Sequence, residues 1–225
     1  VTSVVTGNCG GSEDDLGRFF ATLKETGIGL NLATHVGHGT VRQAVMGTEN
    51  RAATAEELAR MEALVAAAME AGAVGFSTGL IYVPGTYAPT EEVVALARVA
   101  ARYGGIYATH MRNEGEKVLE AMDEAIRIAR EAGLPVEISH FKVSNKRFWG
   151  WSKKMLARVE RARAEGLDVT VDQYPYTASS TGLESQLPAW ALAGLGEEEQ
   201  AAREALQQRL ADKAQRKKIA DEMYE

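Results

Sequence analysis

One cysteine and four histidines are all the thiol and imidazole in the 225-residue chain. Cys9, His110 and His140 each stand at or just past the end of a short run of β-branched and apolar residues. Thiolate and imidazole are the preferred donors for Zn²⁺, at about 2.3 and 2.0–2.1 Å, and three protein ligands leave a fourth position for water. That is the catalytic pattern rather than the closed structural one. Taken singly, each residue has a bland explanation. A lone Cys is among the most buried residue types, and a lone His at a strand end is commonly a hydrogen-bonded structural residue. Three of them at equivalent positions of repeated units point instead to a Zn²⁺ centre. His35 and His38, in Thr34-His35-Val36-Gly37-His38-Gly39, share an i, i+3 spacing, but two glycines make this a loop, not a helix with both on one face. Neither is expected as a ligand; one of them is expected at the rim, supporting those that are.

The elements that must hold these donors form a repeated unit of strand, polar loop and helix. Helices are expected to end at Gly27, Gly72, Gly104, Gly133 and Gly166, each followed by an apolar run, at intervals near the ~30 residues of a βα unit. Glycine recurs there because the residue past a helix end often needs a left-handed backbone. Thr54-Ala55-Glu56-Glu57 reads as a capping box, Thr90 starts the next helix, and Ser152 starts the one after Trp151. Lys117–Glu131 alternates apolar and charged residues as a helix covering a sheet does. Six strands are expected over Val1–Thr6, Gly29–His35, Val74–Ser77, Ile106–His110, Val136–His140 and Val169–Tyr174. Strands alternating with helices predict an α/β fold with a parallel sheet. A doubly wound sheet would show a Gly-rich phosphate turn after its first strand, and Gly7-Asn8-Cys9-Gly10-Gly11 does not match it. An incomplete (β/α)8 TIM barrel is the better expectation, and it gathers strand ends on one rim, where such folds place active sites. Tyr174 reaches that rim as well. Residues 1–182 carry this rhythm; residues 183–225 are expected to be a loop and a charged helical insertion.

Composition excludes several classes. With 25 basic and 31 acidic residues the net charge is −6, and no basic stripe is set against it, which argues against nucleic acid. No apolar run approaches the ~18 residues of a membrane span, and Val1-Thr2-Ser3-Val4-Val5 lacks the features of a signal peptide. A single Cys forms no internal disulfide, so a reducing, cytoplasmic setting is expected.

Six motifs then stand in order: Thr6-Gly7-Asn8-Cys9-Gly10, Val36-Gly37-His38-Gly39-Thr40-Val41-Arg42, Phe76-Ser77-Thr78-Gly79-Leu80-Ile81-Tyr82, Ala108-Thr109-His110-Met111-Arg112-Asn113-Glu114, Ile138-Ser139-His140-Phe141-Lys142, and Asp172-Gln173-Tyr174-Pro175-Tyr176-Thr177-Ala178-Ser179-Ser180-Thr181. Together they make the chain resemble the N-acyl-D-amino-acid deacylases (D-aminoacylases) of the amidohydrolase superfamily. The resemblance implies a zinc-dependent deacylase of small N-acyl-D-amino acids. It assigns the zinc to Cys9, His110 and His140, and makes Tyr82, Lys142, Tyr174 and Ser180 residues of the substrate site. Lys142 and Tyr82 would act in catalysis, Tyr174 and Ser180 in substrate binding. It also implies that the chain begins at barrel strand two and stops after strand seven, without the family's strand-one His-x-His pair and strand-eight Asp. Weak zinc binding or none, and little deacylase turnover, are therefore expected of these residues alone, with self-association or pairing through open barrel edges. A cyclic-amide hydrolase and a non-catalytic barrel fragment are the alternatives.

Overall fold

The computed structural model describes residues 1–193 and 199–223. Six strands form one sheet: β1 (Ser3–Thr6), β2 (Asn31–Gly37), β3 (Gly75–Gly79), β4 (Ile106–His110), β5 (Val136–Ile138) and β6 (Val169–Val171). Every neighbouring pair is parallel and the spatial order is the chain order, with registers such as Val4↔Leu32, Val36↔Phe76, Thr78↔Thr109 and Ile138↔Val171. A doubly wound sheet needs a reversal of strand order to place helices on both faces. Strict sequential order with crossovers of one hand puts them on a single side, so the sheet curls into a half-barrel.

The outer layer consists of α1 (Leu16–Thr26), α2 (His38–Met46), α3 (Ala55–Glu70), α4 (Thr90–Arg102), α5 (Val118–Ala132) and α6 (Ser152–Ala164). Each turns one stripe to the sheet. In α5, Val118, Met122, Ile126 and Ala129 are buried between charged neighbours, and each large apolar side chain so buried contributes about 1.5–3 kcal/mol. The capping box of α3 is formed in both directions, Glu57 N–H donating to Thr54 and Thr54 N–H to Glu57. At α4 and α6 the expected starters are instead the first helical residues, following Pro89 and Trp151; the Thr90 hydroxyl donates to Glu124 of α5 instead of capping its own helix.

Several boundaries depart from expectation, three of them at the strand ends that face the rim. β2 runs through Gly37, so His35 lies inside a strand, and His38 opens α2 directly, where a loop was expected. β5 and β6 stop at residues 138 and 171, short of the expected His140 and Tyr174. The ladder ends there because His140 takes a left-handed backbone and the Asp172 carboxylate accepts its N–H at 2.5 Å. Past residue 183 the described residues form α7 (Ala189–Leu192), α8 (Glu199–Ala211) and α9 (Lys213–Met223). Asp212 caps α9 through Gln215 N–H, and Arg209 donates to the carbonyls of Trp190, Ala191 and Ala193. No described helix is long and apolar enough to cross a membrane.

Candidate metal centre

Three strand ends deliver the donors. Cys9 follows β1, His110 is the last residue of β4, and His140 follows β5. Among the described residues other than glycine, only Cys9 (φ 55°) and His140 (φ 40°) have positive φ. Such backbone costs an L-residue about 1–2 kcal/mol, and strain of this kind concentrates at functional sites because the surroundings impose it. At Cys9 the imposing feature is close packing. A Cβ on Gly79 would lie 2.1 Å from the Cys9 carbonyl oxygen, so only glycine lets β3 pass beneath the cysteine loop. Ser77 fastens that loop, its hydroxyl accepting from Gly10 N–H and donating to the Gly7 carbonyl.

The result is convergence. Cys9 Sγ lies 3.9 Å from His140 Nε2, and His140 Nε2 lies 2.8 Å from His110 Nδ1. One donor atom from each residue falls within 4.8 Å of the other two. Tetrahedral zinc with bonds of about 2.0–2.3 Å holds its donors at comparable separations, so the set fits that ion. Burial holds His110 neutral, pushing its pKa down to about 4, which keeps a lone pair ready for a metal. Burial also works to lower His140, but the Cys9 sulfur and the Glu114 carboxylate outweigh it and lift the ring to about 9.

The remaining expected residues gather around this point. Tyr82 Oη stands 3.4 Å from His110 Nδ1 and 3.1 Å from the Thr181 hydroxyl. Lys142 Nζ is turned inward, 3.1 Å from His140 Nδ1 and 5.9 Å from the Tyr174 ring centre. Tyr174 and Ser180 line the same cavity of about 1060 Å³, with Ser144, Asn145 and Gln186 on its walls. His35 and His38 do not join it. His38 is fully buried and bonded to Glu92 at 2.9 Å, and Arg42 donates to the same carboxylate; neither histidine is a rim support. Sequence reasoning missed Glu114, whose Oε1 is 2.6 Å from Lys142 Nζ and 3.0 Å from His140 Nδ1. The one signal available was an acid four residues after a candidate ligand.

No protein-family model matches the chain. Curated relatives do. The chain is 43% identical over 206 residues to a D-aminoacylase of Alcaligenes xylosoxydans xylosoxydans, covering 81% of this chain and 42% of that protein. It is 40% identical over 203 residues to an N-acyl-D-glutamate deacylase of the same organism, with 80% and 42% covered. Among solved structures, a D-aminoacylase described as defining a novel subset of amidohydrolases superposes with a TM-score of 0.76 at 40% identity, over 80% of this chain and 42% of that one. The N-acyl-D-glutamate deacylase from Bordetella bronchiseptica, complexed with zinc and a phosphonate inhibitor, gives 0.75 at 38% identity, with 78% and 42% covered. The chain thus spans less than half the length of the relatives it matches. The chain is similar to one segment of a D-aminoacylase and of an N-acyl-D-glutamate deacylase, in sequence and in fold.

Proposed function

We propose that this chain is the metal-holding part of a zinc-dependent deacylase that hydrolyses the amide of small N-acyl-D-amino acids. The observation that carries the reading is the meeting of Cys9, His110 and His140 within 4.8 Å on one rim of the half-barrel. These three residues would hold the zinc. When bound, the metal lowers the pKa of a coordinated water from 15.7 towards about 7, supplying hydroxide at neutral pH.

The chain's own side chains do the rest. Burial raises the Tyr82 phenol, so it stays protonated and can donate to an acyl oxygen that gains charge as the carbonyl is attacked. Lys142 adds cationic charge on the opposite side, its ammonium held inward instead of in solvent. Tyr174 and Ser180 offer a ring face and a hydroxyl to the substrate from the loop after β6. The helices described past residue 183 lean on the Tyr82 loop through Tyr87 Oη, which donates to the Ala189 carbonyl at 2.5 Å.

The test is a graft. Residues 1–225 replace the matching segment of the Alcaligenes D-aminoacylase, and release of free amino acid from N-acetyl-D- and N-acetyl-L-substrates is followed. Turnover of the D series is expected, lost with zinc in Cys9→Ala. Equal zinc in Cys9→Ala eliminates the metal assignment, and preference for the L series refutes the substrate class.

A further inference from the structure

Glu114 is an acid with an unusual number of tasks. It lies in the loop after β4 with only 8% of its surface exposed. A carboxylate buried to that depth persists only where it is paired and hydrogen-bonded. Its Oε1 alone stands 2.6 Å from Lys142 Nζ, 3.0 Å from His140 Nδ1 and 3.7 Å from His110 Nε2. The backbone beneath it is fixed: the Glu114 carbonyl accepts from Ser144 N–H at 2.8 Å and from the Ser144 hydroxyl at 3.1 Å, tying the loop after β4 to the loop after β5. Asn113 Oδ1 closes the same loop by accepting from Gly115 and Lys117 N–H, each at 2.9 Å.

Position dictates consequence. An imidazole can offer a lone pair from one nitrogen only when the proton resides on the other. The nitrogens that face Cys9 and each other are His140 Nε2 and His110 Nδ1. Their opposite nitrogens, His140 Nδ1 and His110 Nε2, both face the Glu114 oxygen. His110 Nε2 is buried and has no hydrogen-bond partner; the Glu114 oxygen 3.7 Å away is beyond hydrogen-bond reach and acts on it by charge alone. One oxygen thereby holds the His140 ring directly and favours a proton on the outer nitrogen of His110.

Resting on the zinc reading above, we infer that Glu114 is the positioning residue of the centre, turning His140 Nε2 towards the Cys9 thiolate through its hold on Nδ1 and favouring by charge a proton on His110 Nε2, while it neutralises Lys142. A carboxylate behind a ligating histidine fixes the ring and raises its basicity, and loss of such a partner costs about 10–100-fold in metal affinity. Here the partner bonds His140 and reaches His110 only through charge.

Removing Glu114 alone would leave the half-buried Lys142 without a counter-charge, so the variants remove both charges together. Zinc affinity of the D-aminoacylase graft described above is measured by competition with a metallochromic chelator for the unsubstituted graft, Glu114→Met/Lys142→Met and Glu114→Gln/Lys142→Met, each compared for thermal unfolding without metal. The Met/Met pair is expected to bind zinc about 10–100-fold more weakly, and the Gln/Met pair, which restores an acceptor oxygen, to recover part of that loss. Wild-type affinity in the Met/Met pair would show that Glu114 only neutralises Lys142 and would overturn the inference alone. Equal loss in both pairs would overturn it too, since a returned acceptor should help. An unsubstituted graft that takes no zinc would bring down the metal reading and this inference with it.

Discussion

Cys9 and His140 hold their side chains over the rim only because their backbones are left-handed. For Cys9 this predicts a separation of stability from metal binding. Without metal, Cys9→Gly is expected to be more stable than Cys9→Ala by about 1 kcal/mol, since glycine alone escapes the Cβ penalty. Urea unfolding of the two variants measures it; equal midpoints would mean the loop carries no strain. The three donors were legible in the sequence because thiol and imidazole are scarce, with one Cys and four His in the chain. Glu114 was not, for the opposite reason. It is one of 31 acidic residues, and nothing in residue order tells a buried carboxylate from a solvated one.

The secondary-structure elements show the same division. All six strands could be read from apolar runs, and the α3 start from Thr54 and Glu57, because period and capping are local properties. The junction of β2 and α2 was misread as a loop because its glycines serve packing. A Cβ at Gly37 would lie 2.5 Å, and one at Gly39 2.9 Å, from the Gly10 carbonyl oxygen. That close approach places His38 and Arg42 inside, where both bond Glu92 of α4. Burial opposes ionisation of Glu92, but its bonds to His38 and Arg42 outweigh it and hold its pKa below the usual carboxylate range. Glu92→Ala strands the Arg42 charge in the core, so a loss of about 3–5 kcal/mol is expected in denaturant unfolding. A loss under about 1 kcal/mol would show that the α2–α4 contact survives without the ion pair.

For the molecule as a whole, a sheet of six strands curled in chain order leaves β1 and β6 each paired on one side only among the described residues. Val5 and Val171 are exposed on those strands. Such edges invite pairing with another chain, so sedimentation velocity is expected to show association that grows with concentration; a monomer throughout would argue that the edges are self-protected. The parallel half-barrel was legible from the βα rhythm, but the length of β5 and β6 was not, since long-range contacts at Asp172 end them. The same region makes stability depend on pH. Burial, then the neighbouring Asp172, lifts Glu137 to about 7 from its usual 4.5. A carboxyl raised in the folded state contributes stability below the unfolded value and loses it as pH rises through the folded one. Melting temperature without metal should therefore fall between pH 5 and pH 8, and fall less in Glu137→Gln. Identical profiles for the two would mean that Glu137 is already ionised at low pH.

X-ray absorption at the zinc edge of the loaded chain reads the coordination shell directly. One sulfur at about 2.3 Å with two imidazole nitrogens at about 2.0–2.1 Å is the expected result. A shell of nitrogen and oxygen without sulfur would show that Cys9 is no ligand and that the three strand ends do not meet on a metal.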